Sequence, residues 1–183
     1  IQVWGGQTSI PHEGLKEGRS IKLDERDIAM ADESFSDNVV STTAEVSQSG
    51  LIASVGENYM SVSLSGIYPE YADIEDLKII QGRFINKIDM DEKRKVVVMS
   101  EDNAKNFFKD NASPINRNIK IGSTHYKVVG IYESNSMFTD NNMYSPYTTV
   151  QTIYAKGRTI NKKKKKTRGL KTEEDSEKFE EEF

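Results

Sequence analysis

Cysteine is absent from this 183-residue chain, so neither disulfides nor thiolate metal ligands are available to it. That absence suits an oxidising or a reducing compartment equally. Histidine is scarce as well. His12 and His125 are the two present, too few for a four-ligand zinc site, and there is no HExxH pair. No G-x-x-x-x-G-K-[ST] phosphate loop occurs, so any ATP hydrolysis belongs to another chain or segment. Long hydrophobic runs are missing too. The longest have four or five residues, such as Val96-Val97-Val98-Met99, whereas a membrane helix needs about 20 apolar residues. No secretory leader is visible. The chain opens on Ile1 rather than Met and stops at Phe183 within an expected helix, so both ends are expected to be cuts in a longer protein.

What is present is enough for a packed core. Hydrophobic residues make up 36% and charged residues 30%, a polar but foldable balance, with seven Phe and eight Tyr for bulk. The net charge of −4 argues against a general nucleic-acid binder, which would normally show a basic surface.

Along the chain, Gly5, Gly6, Pro11, Gly14 and Gly18 mark an extended entry with turns. Asp24 can cap a helix carrying Ile28, Ala31 and Phe35 on one stripe. From Val39 the pattern turns to strands. Met60, Val62 and Leu64 alternate with polar neighbours, and Gly56-Glu57-Asn58 separates them from a strand at 51–55, which predicts a hairpin. A short helical turn is expected after Pro69, then a strand at 77–81 and a turn at Gly82. Residues 95–99 predict a strand covered on both faces. Ser100 can cap a helix through Phe108, with Ala104, Phe107 and Phe108 inward. Residues 118–133 predict a second hairpin across Gly122-Ser123, and 134–142 a polar loop. Pro146 stands where a helix through Tyr154 would begin. The lysine run 162–166 is followed by Thr172, a cap for an acidic helix with Asp175 at its third position and Phe179 stacked on Phe183. The whole predicts an α+β fold, mostly antiparallel, with helices placed singly between strands.

Several of these segments, in this order, resemble the periplasmic core domain of MacB-type ABC-transporter permeases. The entry Ile1-Gln2-Val3-Trp4-Gly5-Gly6-Gln7-Thr8-Ser9 is similar to the stretch that follows the first membrane helix there. Gly66-Ile67-Tyr68-Pro69-Glu70-Tyr71 resembles a family strand end. Gly82-Arg83-Phe84-Ile85-Asn86, then Asp89, then residues 95–100, follow the family's order, and 118–121 with 126–131 match its hairpin. Tyr144-Ser145-Pro146-Tyr147 matches its exit. The likeness covers residues 1–154 and thins beyond Ala155. It implies two lobes: a membrane-proximal, porter-like α/β subdomain of residues 1–72 plus 155–183, and a β-rich, Sabre-like insertion of residues 73–154.

Candidate sites are few. Asp89, Asp91 and Glu92 form one acidic cluster, and Asp73, Glu75 and Asp76 another. Paired carboxylates can serve hydrolysis, yet both clusters fall at turns or short helices, where acids cap or are solvated. The loop 134–142 offers a calcium ion one carboxylate, Asp140, without the spaced acids such a site wants. The residues singled out by the resemblance are Gly82, Arg83, Phe84, Gly130 and Pro146, with structural roles expected. Arg83 is expected to pair with a nearby carboxylate such as Asp89, the alternative being a partner contact. Lys162 to Lys166 reads as a solvated loop or, alternatively, a lipid-attracting patch. Trp4 is a core aromatic or an interfacial anchor.

The expectation is therefore a protein without catalytic, cofactor or metal sites. The resemblance implies the periplasmic domain of an inner-membrane permease in a Gram-negative bacterium, homodimeric in the full-length protein and held by membrane helices outside this chain. It would transmit ATP-driven movement from an ATP-binding subunit or domain and dock a periplasmic adaptor for efflux. The alternative within the superfamily is a domain that handles a lipoprotein or regulates a cell-division hydrolase. An unrelated soluble binding module and a hydrolase built on the acidic clusters complete the set.

Overall fold

The computed structural model describes residues 2–4, 6–11, 14, 16–19, 23–24, 39–109, 113–134, 141–157, 159–160 and 162–167. Among them lie eleven strands and four short helices. The strands are β1 (Gln2–Trp4), β2 (Leu23–Asp24), β3 (Val39–Val55), β4 (Asn58–Ile67), β5 (Ile79–Gly82), β6 (Val96–Ser100), β7 (Asn118–Ile121), β8 (Thr124–Tyr132), β9 (Asn142–Pro146), β10 (Thr159–Ile160) and β11 (Lys162–Thr167). The helices are α1 (Tyr71–Ile74), α2 (Lys87–Asp91), α3 (Glu101–Phe107) and α4 (Tyr147–Ile153).

Nine strands form one sheet in the order β1-β11-β3-β4-β9-β6-β8-β5, and β7 bridges β3 and β8. Because β7 pairs with both, the ladders β3–β4–β9–β6–β8–β7 return to β3 and close a six-strand circuit. Closure removes free edges from those six strands, a feature of barrels. The registers place Ala53, Leu64, Met143, Met99, Val97 and Val128 on one face, and all six are buried. Tyr126 and Ile119 stand opposite each other on the β7–β8 hairpin, both fully buried. Strand β6 is buried along its whole length, as a continuous apolar run requires.

The hairpin at 56–57 forms as expected, but its first strand is far longer than the apolar run 51–55. Residues 39–50 are rich in Ser and Thr, and their partners on β4 and β11 hold them. Two ladders, β4–β9 and β6–β8, are parallel. Strand β9 fills the stretch between the expected polar loop 134–142 and the expected helix start at Pro146, where no strand was expected. Its pairing to distant β4 and β6 sets it, rather than its own short pattern.

Two expected helix starts form. Ser100 accepts the Asn103 N–H at 3.2 Å and opens α3, in which Ala104 and Phe107 are buried, as is Phe108 just beyond it. Pro146 occupies the N-cap of α4. One expectation is corrected: residues 162–166 are no loop. They form most of β11, laid between β1 and β3 with six backbone pairings to β3. Ladder hydrogen bonds with both neighbours outweigh the poor strand propensity of lysine. The expected boundary between residues 72 and 73 falls within α1, and the β3–β4 hairpin runs unbroken from the β11 side to β7 and β9. The helices expected over 25–35 and after Thr172 lie outside the described residues, while Asp24, the expected cap of the first, is paired with Thr159 in β2.

Candidate functional site

Three of the five signature residues, Gly82, Arg83 and Gly130, meet at one joint, where β5 pairs with β8. Gly82 stands opposite Gly130 in the register. Across β8, Val97 pairs with Val128 and Val98 with Gly130, so Val129 is an extra, bulged residue. Its carbonyl turns to β5 and accepts the Arg83 N–H at 2.9 Å. The two backbones lie so close that neither glycine has room for a side chain. A Cβ on Gly82 would sit 2.2 Å from the Val129 oxygen, and one on Gly130 2.1 Å from the Arg83 oxygen. Gly82 also needs its φ of +76°, a left-handed conformation costly for other residues.

Once through this joint, the chain presents Arg83 to α2. Asn86 caps that helix, accepting the Asp89 N–H at 3.0 Å while the Asp89 carboxylate accepts the Asn86 N–H at 3.1 Å. The fork of Arg83 grips the same carboxylate through Nη1 at 2.5 Å and Nη2 at 3.0 Å. Arg94 adds a longer ion pair at 3.7 Å. Asp89 has no exposed surface, whereas Arg83 is 42% exposed. Burial alone would push the Asp89 carboxyl up. The Arg83 fork, the Asn86 N–H and Arg94 outweigh it and hold the carboxyl below its ordinary range. Arg83 is pushed up in turn, chiefly by its hydrogen bond to Asp89. The expected pairing of Arg83 with Asp89 is thus the one present. Phe84 is half-buried against the core, and Pro146 is paired with Ile67 at the end of the parallel β4–β9 ladder.

Beside the joint lies a cleft of about 540 Å³ lined by Gly82, Arg83, Arg94, Lys95, Val96, Ile115, Asn116, Lys127 and Val129. Four cations line it and no carboxylate does. Sequence reasoning missed it. Arg94-Lys95 and Lys127 are far apart in the chain, and the parallel β6–β8 ladder joins them, with the Lys127 N–H donating to the Lys95 carbonyl at 2.9 Å. The local signal was limited to cations flanking the buried run 96–99.

The acidic clusters do not converge. Asp73, Glu75 and Asp76 are all exposed around the end of α1. In the other cluster Asp89 turns inward to Arg83, while Asp91 and Glu92 face solvent and Glu92 accepts Arg94 Nε at 2.8 Å. His125 is exposed on β8. His12, Asp140 and the loop around Asp140 lie outside the described residues, as do the side chains of Trp4 and of the lysines in β11.

Comparison with known proteins gives the arrangement its context. The family model for the MacB-like periplasmic core domain matches residues 1–182. A macrolide export ATP-binding/permease protein MacB from Aggregatibacter actinomycetemcomitans is 33% identical over 116 residues, covering 61% of this chain and 18% of the relative. Its counterpart from Mannheimia succiniciproducens is 30% identical over 125 residues, covering 67% of this chain and 19% of the relative. The chain therefore spans under a fifth of the length of these relatives. In structure it is similar to the periplasmic region of MacB from Actinobacillus actinomycetemcomitans, with a TM-score of 0.76 and 28% identity over 97% of this chain and 78% of that one. The fold is shared with the extracellular domain of the noncanonic ABC-type transporter YknZ from Gram-positive bacteria, at a TM-score of 0.70 and 21% identity over 81% of this chain and 75% of that one.

Proposed function

Since the chain belongs to the family of MacB-like periplasmic core domains, we propose that it is the extracytoplasmic domain of an ABC-transporter permease and works there as a mechanical and docking module. In this reading the parent protein sits in the inner membrane of a bacterium as a homodimer. Its ATP-binding domain or subunit drives the movement, and this domain carries that movement to a periplasmic adaptor for efflux. The domain contributes no catalysis and needs no cofactor.

One observation carries the reading: a closed six-strand circuit joined to β5 where two glycines bring the backbones into contact. Force transmission needs a body that moves as a unit. Close-packed interiors deform little and pass displacement on. A joint with no room for one methyl group has little slack. The exposed positive cleft at that joint supports the docking half.

The alternative, lipoprotein handling, asks for an apolar groove. A groove of about 330 Å³ lies between β5 and α3, lined in part by Ile80, Ala104, Phe108 and Ile131. Its wall also carries the Glu101–Lys105 ion pair, at 2.8 Å. A charged wall fits a peptide contact better than an acyl chain, which favours docking.

The test uses the absence of cysteine in this chain. Tyr59, 77% exposed at the hairpin tip, is replaced by Tyr59→Cys in the full-length transporter, with any cysteine outside this chain changed to serine, and spin-labelled in both copies. Nucleotide binding is expected to shift the distance distribution between the two labels. A distribution identical with and without nucleotide, in a transporter that still hydrolyses ATP, overturns the mechanical reading.

A further inference from the structure

The cleft at the β5–β8 joint gathers charge of one sign. Residues 1–167 balance 22 basic against 22 acidic residues, yet this concavity is lined by Arg83, Arg94, Lys95 and Lys127 and by no acid. The four cations are not equally available. Arg83 is committed to Asp89, and Arg94 is partly engaged by Glu92 and Asp89. Lys95 and Lys127 are exposed, and neither has an ion-pair partner among the described residues. Between the cations the floor is apolar, formed by Val96, Val129 and Ile115.

We propose that this cleft binds an acidic segment of a protein partner, seating carboxylates on Lys95, Lys127 and Arg94 with an apolar side chain between them on Val96, Val129 and Ile115. The inference deepens the docking reading and rests on it. Charge complementarity at close quarters selects such a partner and speeds its approach. Shape also argues against an extended anionic surface, since a flat bilayer reaches into a cleft less readily than a short segment does. A short segment that inserts feels mainly the local cations, because screening extends only about 8 Å at physiological salt. Carboxylates suit the two free lysines, which offer rotatable point charges rather than fixed forks.

The probe is a fluorescein-labelled peptide in which glutamates alternate with leucines, titrated by anisotropy against the 183-residue chain at low salt. The exchange K95E/K127E is expected to weaken binding at least tenfold. The exchange K16E/K109E, equal in charge and outside the cleft, is expected to change it less than threefold. The milder K95Q/K127Q serves should the reversed charges disturb folding, with thermal melts of every variant as the check. Equal weakening by the two reversals, or no binding of the peptide, overturns the proposal. So do phosphatidylglycerol vesicles that bind more tightly than the peptide and need the same two lysines. In the full-length transporter, adaptor binding that survives K95E/K127E overturns this cleft while leaving docking intact. A transporter with no adaptor binding at all overturns the docking reading itself.

Discussion

Two register shifts in this sheet carry a glycine at positive φ, and they differ in nearly everything else. In the β3–β4 hairpin the register slips between Gln48 and Leu51, and Gly50 sits in the bulge with φ +72°. At the β5–β8 joint it slips between Ile79 and Gln81, and Gly82 follows with φ +76°. A side chain on Gly50 would meet nothing within 4 Å, whereas one on Gly82 would strike the Val129 carbonyl. The backbone requirement is the same. The packing is opposite. The first shift bends a polar strand in open surroundings, and the second locks one strand on another. Left-handed backbone by itself therefore marks no mechanical element; what it is pressed against does.

The sharpest way to break this comparison is Gly82→Ala. The left-handed conformation costs about 1–2 kcal/mol for a residue with a Cβ, and forcing a methyl into a filled space adds about 1–3 kcal/mol. Alanine recovers about 0.4–1 kcal/mol by restricting the unfolded chain. The expected net loss is about 3 kcal/mol, read from urea denaturation midpoints. A loss under about 1.5 kcal/mol would mean that β5 shifts away freely and that the joint is no lock.

A middle-sized effect is expected from Arg83→Ala, which leaves the joint backbone intact and removes the grip on Asp89. Stranding one member of a buried pair costs about 3–5 kcal/mol. Arg83 is 42% exposed and Arg94 remains nearby, so the expected cost at neutral pH is discounted to about 2 kcal/mol. Its pH dependence follows from the carboxyl. Asp89 is held below its ordinary range in the folded state, so its contribution is present above the unfolded value near about 3.9 and is lost as pH falls through the lower folded value. The gap between parent and variant should be full at pH 7 and narrow below about pH 4. Denaturation curves at neutral and acidic pH check this. A gap that stays constant with pH would assign the loss to packing of the arginine stem.

How much of this could be read beforehand depends on the range of the interaction. The Ser100 cap and the alternation from Met60 to Leu64 are local, and each formed as its spacing implied. Arg83 and Asp89 are six residues apart, within reach of one turn and a short helix. The cleft is not local. Arg94 and Lys127 meet only through a parallel ladder, and nothing near either residue announces the other. Strand β11 was hidden for a related reason. A five-lysine run has the composition of a solvated loop, and its strand exists through pairing with β1 and β3, dozens of residues away or more. The closure of the circuit through Ala53 and Ile121 is equally non-local.

The smallest effect belongs to Gly50→Ala, and it tests the comparison from the other side. The substitution pays the same left-handed penalty of about 1–2 kcal/mol as at Gly82. It recovers about 0.4–1 kcal/mol by restricting the unfolded chain. With no atom in the way, the net loss should be about 1 kcal/mol or less, and Gly50→Asn should lose less still, since asparagine tolerates this conformation. Both are read from the same urea midpoints as Gly82→Ala. Losses equal at positions 50 and 82 would reduce the joint to a matter of backbone handedness. A threefold difference would isolate the close contact of β5 with β8, because conformation is common to the two sites and cancels between them.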